Sequence, residues 1–274
     1  MMDWLLDPFA QTFAQRALLG GILAVIATSL VGTWVIIRGM AFMGDALVHG
    51  VVPGIAIAVV VGFDATIGAA LAAVVMVVGI NLVHRQTAFS EDTSIGLLFV
   101  GMLALGVIII SRSASYTGSL TSILFGDALG VTEGDIVLLA VVAGVAVVTS
   151  IVFYRPFLAL SFNESKAQLL GMRPNLAHFV LLTLIALAVI GSFRTVGTLL
   201  VFGLLIAPPA TAALISRRVP TMMLTSTAIG VVSVASGLIL SYHLDTSGSA
   251  TMALVPVVLF FAVLTVKSLR PSSP

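Results

Sequence analysis

Residues 17–37 read ALLGGILAVIATSLVGTWVII, a run without a single charge, bounded by Arg16 and Arg38. At about 1.5 Å of rise per residue such a run crosses about 30 Å of hydrocarbon, which makes it a membrane span instead of a core helix of a soluble domain. The pattern recurs along the chain. Apolar runs bounded by charges, Gly, Pro or Asn/Asp/Ser clusters fall at Ala46 to Val61, Ala65 to Val83, Ser94 to Ile110, Ile136 to Phe153, Leu176 to Phe193, Val196 to Ile215, Met222 to Leu240 and Met252 to Val266. With the first run these predict an all-α polytopic membrane protein of about nine transmembrane helices, a single transmembrane domain over residues 1–274. The composition demands the same solvent: at 59% hydrophobic, 8% charged and a mean hydropathy of +1.22, polar side chains are too few to coat a water-soluble globule of 274 residues. No cleaved leader is expected, because the mildly amphipathic N-terminus leads straight into a full-length span that serves as its own insertion signal.

Charge and absent residue types narrow the function. The net charge is +1, and basic residues occur singly or in pairs, so there is no stripe for a nucleic acid partner. Cysteine is absent, so any metal must be met by oxygen or imidazole. The chain has no G-x-x-x-x-G-K-[ST] loop to cradle ATP, and neither H-E-x-x-H nor G-x-S-x-G, so it is not expected to be an enzyme. Any energy input must then come from a partner or from an ion gradient. Arg38, Arg85, Arg155, Lys166, Arg173, Arg217, Arg218, Lys267 and Arg270 share one side if the spans alternate, against Arg16, Arg112 and Arg194 on the other. The more basic side is the cytoplasm, which places the N-terminus outside and the C-terminus inside.

Ionisable residues that hydrocarbon should exclude mark the candidate sites. Asp45 and His49 open the second span in MAFMGDALVHGVVPG (residues 40–54), and their i, i+4 spacing puts both on one helical face. A carboxylate and an imidazole one turn apart can chelate a divalent ion; equally, Asp45 could cap the helix while His49 satisfies a carbonyl. Glu91 and Asp92 begin the fourth span at the same end and fit either additional ligands or favourable first-turn acids. Asp245, close to His243, falls in an external loop where it reads as a pathway mouth or as a turn residue. Asp127 lies in an external apolar segment, Leu120 to Gly130, too short to span and expected to be re-entrant or interfacial. Pro53, the Gly50/Gly54 pair and Pro208–Pro209 predict irregular backbone and close helix approach, with the proline pair interrupting the seventh span.

The loop after the fifth span carries a short, fully punctuated helix near 161–172. Ser161 and Glu164 have capping-box spacing, Lys166, Ala167, Leu169 and Leu170 form its body, Gly171 suits C′, and Pro174 prevents continuation. It fits an interfacial bridge between two spans or a docking helix for a partner.

Taken in order, GDALVHGVVPG (44–54), EDTSIG (91–96), LFGD (124–127), VGTLLV (196–201) with Ala207-Pro208, and LSYHLDT (240–246) resemble the zinc/manganese/iron permease family of ATP-binding cassette importers over nearly the whole chain. Gly50 and Val51 depart slightly from that pattern, and the tail after Val266 is short. The resemblance implies a fold similar to the cobalamin and siderophore importer permeases, in a bacterial inner membrane. It implies a second copy of the chain, two ATPase subunits, and a metal-loaded solute-binding protein outside. A divalent manganese, zinc or iron ion would be the transported substrate, with no permanently bound cofactor. Asp45 and His49 would be pathway ligands, and the loop helix would meet the ATPase. The alternative is a secondary transporter in which Asp45, Glu91 and Asp92 relay protons or sodium. If the loop helix docks in an ATPase cleft, Ala167→Trp or Gln168→Pro should abolish stimulation of ATP hydrolysis by the loaded binding protein while leaving metal affinity intact, because close packing penalises added bulk. ATPase assays on the reconstituted complex check this; wild-type stimulation in both variants would remove the helix from the coupling path.

Overall fold

The computed structural model describes residues 7–86, 91–111, 130–162, 168 and 171–269. After a 3-10 turn at Asp7–Ala10, the α-helices of these residues are α1 Thr12–Ile37, α2 Ala41–Gly50, α3 Val52–Val61, α4 Ala65–Gln86, α5 Glu91–Ser111, α6 Glu133–Val152, α7 Tyr154–Phe162, α8 Pro174–Val196, α9 Thr198–Ile215, α10 Val219–Leu244 and α11 Gly248–Leu269. Among the described residues 7 helical stretches are long and apolar enough to cross a membrane, α2 and α3 together forming one of them. Two shorter apolar stretches, Thr93–Ile109 and Val201–Ile215, fill the remaining places in the order read from the sequence. This is the expected multi-pass helical membrane protein.

Helix α1 is the axis of the bundle. Ala24, Val25, Ala27, Val31, Trp34 and Val35 are fully buried, and α6, α8, α9 and α10 all pack against it. Its contact with α9 explains why the proline pair behaves otherwise than expected, for α9 runs unbroken through Pro208 and Pro209. Neither proline has an N–H, so the carbonyl of Leu205 loses both its i+4 donor and its i+3 substitute. That carbonyl turns against Gly32 of α1, where a Cβ would lie 1.9 Å from the Leu205 oxygen and 2.9 Å from Pro209 Cγ. A carbonyl against a glycine Cα is a favourable, if weak, contact. The prolines thus shape a helix contact instead of a break.

The α3–α4 crossing uses the predicted glycine face. A Cβ on Gly54 would come 2.1 Å from the Gly68 oxygen and one on Gly68 2.2 Å from the Gly54 oxygen, while Gly50 faces Met76 of the same helix. Elsewhere large side chains point outward: Val137, Val141, Val148 and Ile151 of α6, and Leu254, Val258 and Phe261 of α11 are exposed. Such surfaces are stable against acyl chains and not against water.

Polar contacts tie the helix ends. Arg16 meets Glu133 at 2.6 Å, joining the starts of α1 and α6, and Lys267 Nζ donates to the Leu214 carbonyl at 2.6 Å, joining the ends of α11 and α9. Arg38 donates to His178 Nδ1 at 3.1 Å, and since a guanidinium has no acceptor, that nitrogen carries the lone pair. Helix α6 opens with a capping box that the sequence reading passed over: Asp135 N–H donates to Thr132 Oγ1, and Thr132 N–H donates back to Asp135.

Helix α7 is a further addition. Ser161, expected to cap a new helix, lies in the last turn of α7 and donates to the Phe157 carbonyl at 2.8 Å. Glu164, Lys166, Ala167, Leu169 and Leu170 lie outside the described residues. Gly171 takes φ +71, the left-handed geometry that the C′ reading requires, and Pro174 stands in the first turn of α8.

The Gly32 contact yields a stability test with its own control. Gly32→Val should destabilise the protein by about 1–3 kcal/mol or more through overpacking against backbone, whereas Gly144→Ala on the outer face of α6, where a Cβ meets nothing within 4 Å, should leave it unchanged or slightly raised. Thermal unfolding of both variants in detergent reads the difference; equal melting temperatures would show that the α1–α9 contact is not under close-packing constraint.

Candidate functional site

Helix α2 is buried at Met43, Gly44, Ala46, Leu47, Val48 and Gly50, and stays accessible only along Ala41, Phe42, Asp45 and His49. That accessible line follows helical i, i+3, i+7 spacing, so a carboxylate and an imidazole are the polar groups of an otherwise apolar stripe. His49 is 20% and Asp45 32% exposed at the side chain. Both lie inside the bundle yet remain reachable.

The neighbours fix the geometry of the pair. Gly44, one residue before Asp45, lets α2 lie against α9, where a Cβ would come 3.0 Å from Leu205 Cδ2. On the open side α5 runs alongside: its Phe99 ring lies 5.9 Å from the His49 ring and 6.1 Å from the Phe42 ring, centroid to centroid. Further along, Gly106 of α5 packs against Pro53. Pro53, at the second position of α3, has no N–H to offer the His49 carbonyl, and the helix resets at Val51 beside the imidazole. The outcome is a polar line between α2 and α5 with an aromatic wall.

His49 Nε2 stands 3.5 Å from Asp45 Oδ1, too long for a hydrogen bond. Two metal–ligand arms of about 2.1 Å at a tetrahedral angle would place their donor atoms about 3.4 Å apart, so the pair already has the spacing of one edge of a coordination polyhedron. No cluster of three or more His, Cys, Asp or Glu able to hold a metal occurs among the described residues. Among the described residues Asp45 and His49 thus stand as a pair, a carboxylate and an imidazole with no third such group beside them. Glu91 and Asp92 open α5, the helix that carries Phe99; the placement of their side chains lies outside the described residues.

Of the other sequence candidates, Asp245 lies apart from this pair. Asp245 ends α10 in the left-handed region, φ 50 and ψ 43, with its N–H bonded to the Ser241 carbonyl. It is exposed and lines a hollow of about 590 Å³ with Phe9, Phe13 and Tyr242, at the end of the bundle where α1 begins. This geometry is that of a turn residue on an open surface. Asp127 lies outside the described residues. What sequence reasoning missed is Phe99, whose signal is faint: an aromatic two turns into an apolar span looks like any other lipid or core contact.

A model of the ABC 3 transport family matches residues 10–267. The manganese transport system membrane protein MntC of Listeria monocytogenes is 35% identical over 250 residues, covering 91% of this chain and 89% of that protein. A probable iron transport system membrane protein of Haemophilus influenzae is 33% identical over 98% of this chain and 99% of its own length. Among solved structures, PsaBC from Streptococcus pneumoniae in complex with Fab superposes with a TM-score of 0.85 at 30% identity, covering 96% of this chain and 95% of that one. A family match over nearly the whole chain, with relatives of the same length and the same fold, makes this protein a member of the ABC 3 transport family.

Proposed function

We propose that the chain is the membrane-spanning permease of an ATP-driven importer whose cargo is a divalent transition metal, passed along the line between α2 and α5. The observation that carries this reading is the Asp45–His49 pair: two ligand types of the right chemistry, at chelate spacing, part-buried within a membrane bundle. An aspartate at the centre of a span costs about 2.5–3.5 kcal/mol on insertion scales, and an ionisable side chain within a span has no evident reason unless it meets an ion, water or a partner. Carboxylate plus imidazole accepts manganese, iron and zinc alike, so the ligands do not choose among them. The relatives named for manganese and iron transport favour those two metals.

The assembly follows from what the chain lacks and where its charges fall. With no phosphate-binding loop in the sequence, ATP hydrolysis belongs to separate subunits, two of them beneath a pair of these chains, and a solute-binding protein delivers the ion outside. Arg38, Arg155, Arg173, Arg217, Arg218 and Lys267 gather at one end of the bundle, which is the cytoplasmic end by the positive-inside rule and carries the C-terminus. The segment near 161–172 leaves α7 at that end and is the ATPase contact, while Asp245 and Asp127 belong to the outer mouth. Glu91 and Asp92, at the start of α5, are the next acids an ion would meet on leaving Asp45. The membrane is the bacterial inner membrane. A gradient-driven carrier finds no support in a family of ATP-binding cassette transporters.

Asp45→Ala and His49→Ala should each reduce metal uptake at least tenfold without loss of membrane insertion, since removal of even an outer-sphere partner of a metal ligand costs roughly 10–100-fold. Uptake of radioactive manganese or iron by cells expressing each variant, with immunodetection of the inserted protein, is the measurement. Normal uptake by both single variants would sink the pathway assignment.

A further inference from the structure

A further hollow lies on the flank of the bundle away from α2 and α5. A cleft of about 1280 Å³ opens between α1, α6, α7 and α10, at the end that carries Arg155, Arg173, Arg217 and Arg218. Its walls are apolar, with Leu30 of α1, Ile151 of α6, and Met223 and Leu224 of α10 among them. The volume exceeds the roughly 300–1,000 Å³ of drug-sized ligand pockets. Exposed Val148, Ile151 and Val152 continue the cleft onto the outer face of α6, so bilayer lipid has direct access to it.

Two polar groups in this cleft distinguish it from an ordinary lipid-facing seam. Ser150 is 4% exposed and its Oγ has no hydrogen-bond partner among the described residues. Thr28, Thr33 and Ser233 each donate to the carbonyl four residues earlier; Ser29, Ser192 and Ser226 share the unpartnered state of Ser150, but none of them lines this cleft. A buried hydroxyl without a partner costs free energy until a ligand supplies an acceptor. Arg155, exposed at the mouth, is the one charged residue of the lining and forms no ion pair with the described residues. A guanidinium over an apolar cavity that opens to the bilayer has the charge and position to take a phosphate.

We propose that this cleft is a phospholipid site. The acyl chains lie along Leu30, Ile151, Met223 and Leu224, the phosphate of an anionic headgroup sits on Arg155, and the buried Ser150 hydroxyl, by rotating about χ1 into the cleft that its residue lines, donates to an ester carbonyl at the glycerol. The inference is independent of the metal pathway, which involves none of these residues. Because α7 forms one wall, a lipid in this cleft braces the helix that leads to residues 163–170 against α1 and α10.

The test uses the purified full-length chain in mild detergent, with phosphatidylglycerol and phosphatidylcholine as competing probes and native mass spectrometry as readout. Wild type should retain one phospholipid per chain and prefer phosphatidylglycerol by roughly fivefold, the equivalent of about 1 kcal/mol per basic residue at a membrane surface. Arg155→Gln should erase the preference while keeping lipid bound, and Ala228→Trp, which fills the cleft from α10, should lower occupancy of both lipids. Loss of all bound lipid from wild type on mild delipidation, or equal retention of the two lipids by wild type, would overturn the proposal, and neither result depends on a variant folding. The chain has no cysteine, so a single Leu224→Cys supplies one further check. Efficient disulfide crosslinking of two copies through that position would make the cleft a chain–chain interface and end the lipid reading.

Discussion

The contact between Gly32 and the Leu205 carbonyl sets the geometry on which the rest of this bundle depends. In hydrocarbon no water is available for a carbonyl that a proline has deprived of its donor, so the freed oxygen must find something within the protein. Here it finds a glycine Cα, and a Cβ at that position would lie 1.9 Å away. The approach draws α9 onto the central helix, and α9 in turn holds α2, because Leu205 also packs against Gly44. One residue on from Gly44 is Asp45. The placement of the face that carries Asp45 and His49 is thus a consequence of two prolines and two glycines.

The same economy of polar groups explains why Asp45 and His49 stand out. Most hydroxyls in the bundle are absorbed by their own helices, as Thr28, Thr33 and Thr211 donate to the carbonyl four residues back. Neither Asp45 nor His49 has such an escape, and at 3.5 Å they do not share a hydrogen bond. They face an accessible line beside the Phe99 ring, which limits where the imidazole can swing. Among the described residues such a pair is fewer than the four ligands with which structural metal sites close. For a transported ion incompleteness is an advantage, because tight closure would trap the cargo.

Much of this was legible in the sequence because a bilayer imposes simple rules. Each span betrays itself by length and hydropathy, and Asp45 and His49 announce themselves as ionisable side chains where hydrocarbon should exclude them. The proline pair was misread as a break, because sequence shows that Pro209 removes a donor but not that Gly32 waits opposite the orphaned carbonyl. Phe99 stayed hidden for a similar reason: its role comes from the lateral packing of α5 on α2, which no local pattern encodes. Helix α7 was folded into the loop since Tyr154 follows the fifth span without a break in character, and the helix ends only at Phe162. The glycine face of Gly50 and Gly54 was readable because close approach in membranes needs small residues at that spacing.

The arrangement of α7 supplies a mechanical route between the two ends of the proposed mechanism. Trp34, fully buried in α1, meets the rings of Phe157 at 5.3 Å and Tyr154 at 5.7 Å in edge contacts, so α7 cannot shift without displacing α1 or breaking that cluster. From Trp34 the chain reaches α2 in very few residues. Helix α1 ends in a Schellman turn in which Gly39 takes φ +66 and Met40 N–H bonds the Val35 carbonyl at 2.9 Å. Helix α2 begins at the next residue, Ala41, and Asp45 follows one turn later. A turn closed by its own hydrogen bonds transmits motion in place of absorbing it, unlike a long solvated loop. Force applied beyond Phe162 therefore passes through packed rings into α1 and through a rigid corner into the helix that bears the proposed ligands, Asp45 and His49. Coupling of this kind needs two arrangements of one element that both sites can bias, and α1, wedged between α7 and α2, is the element placed to serve.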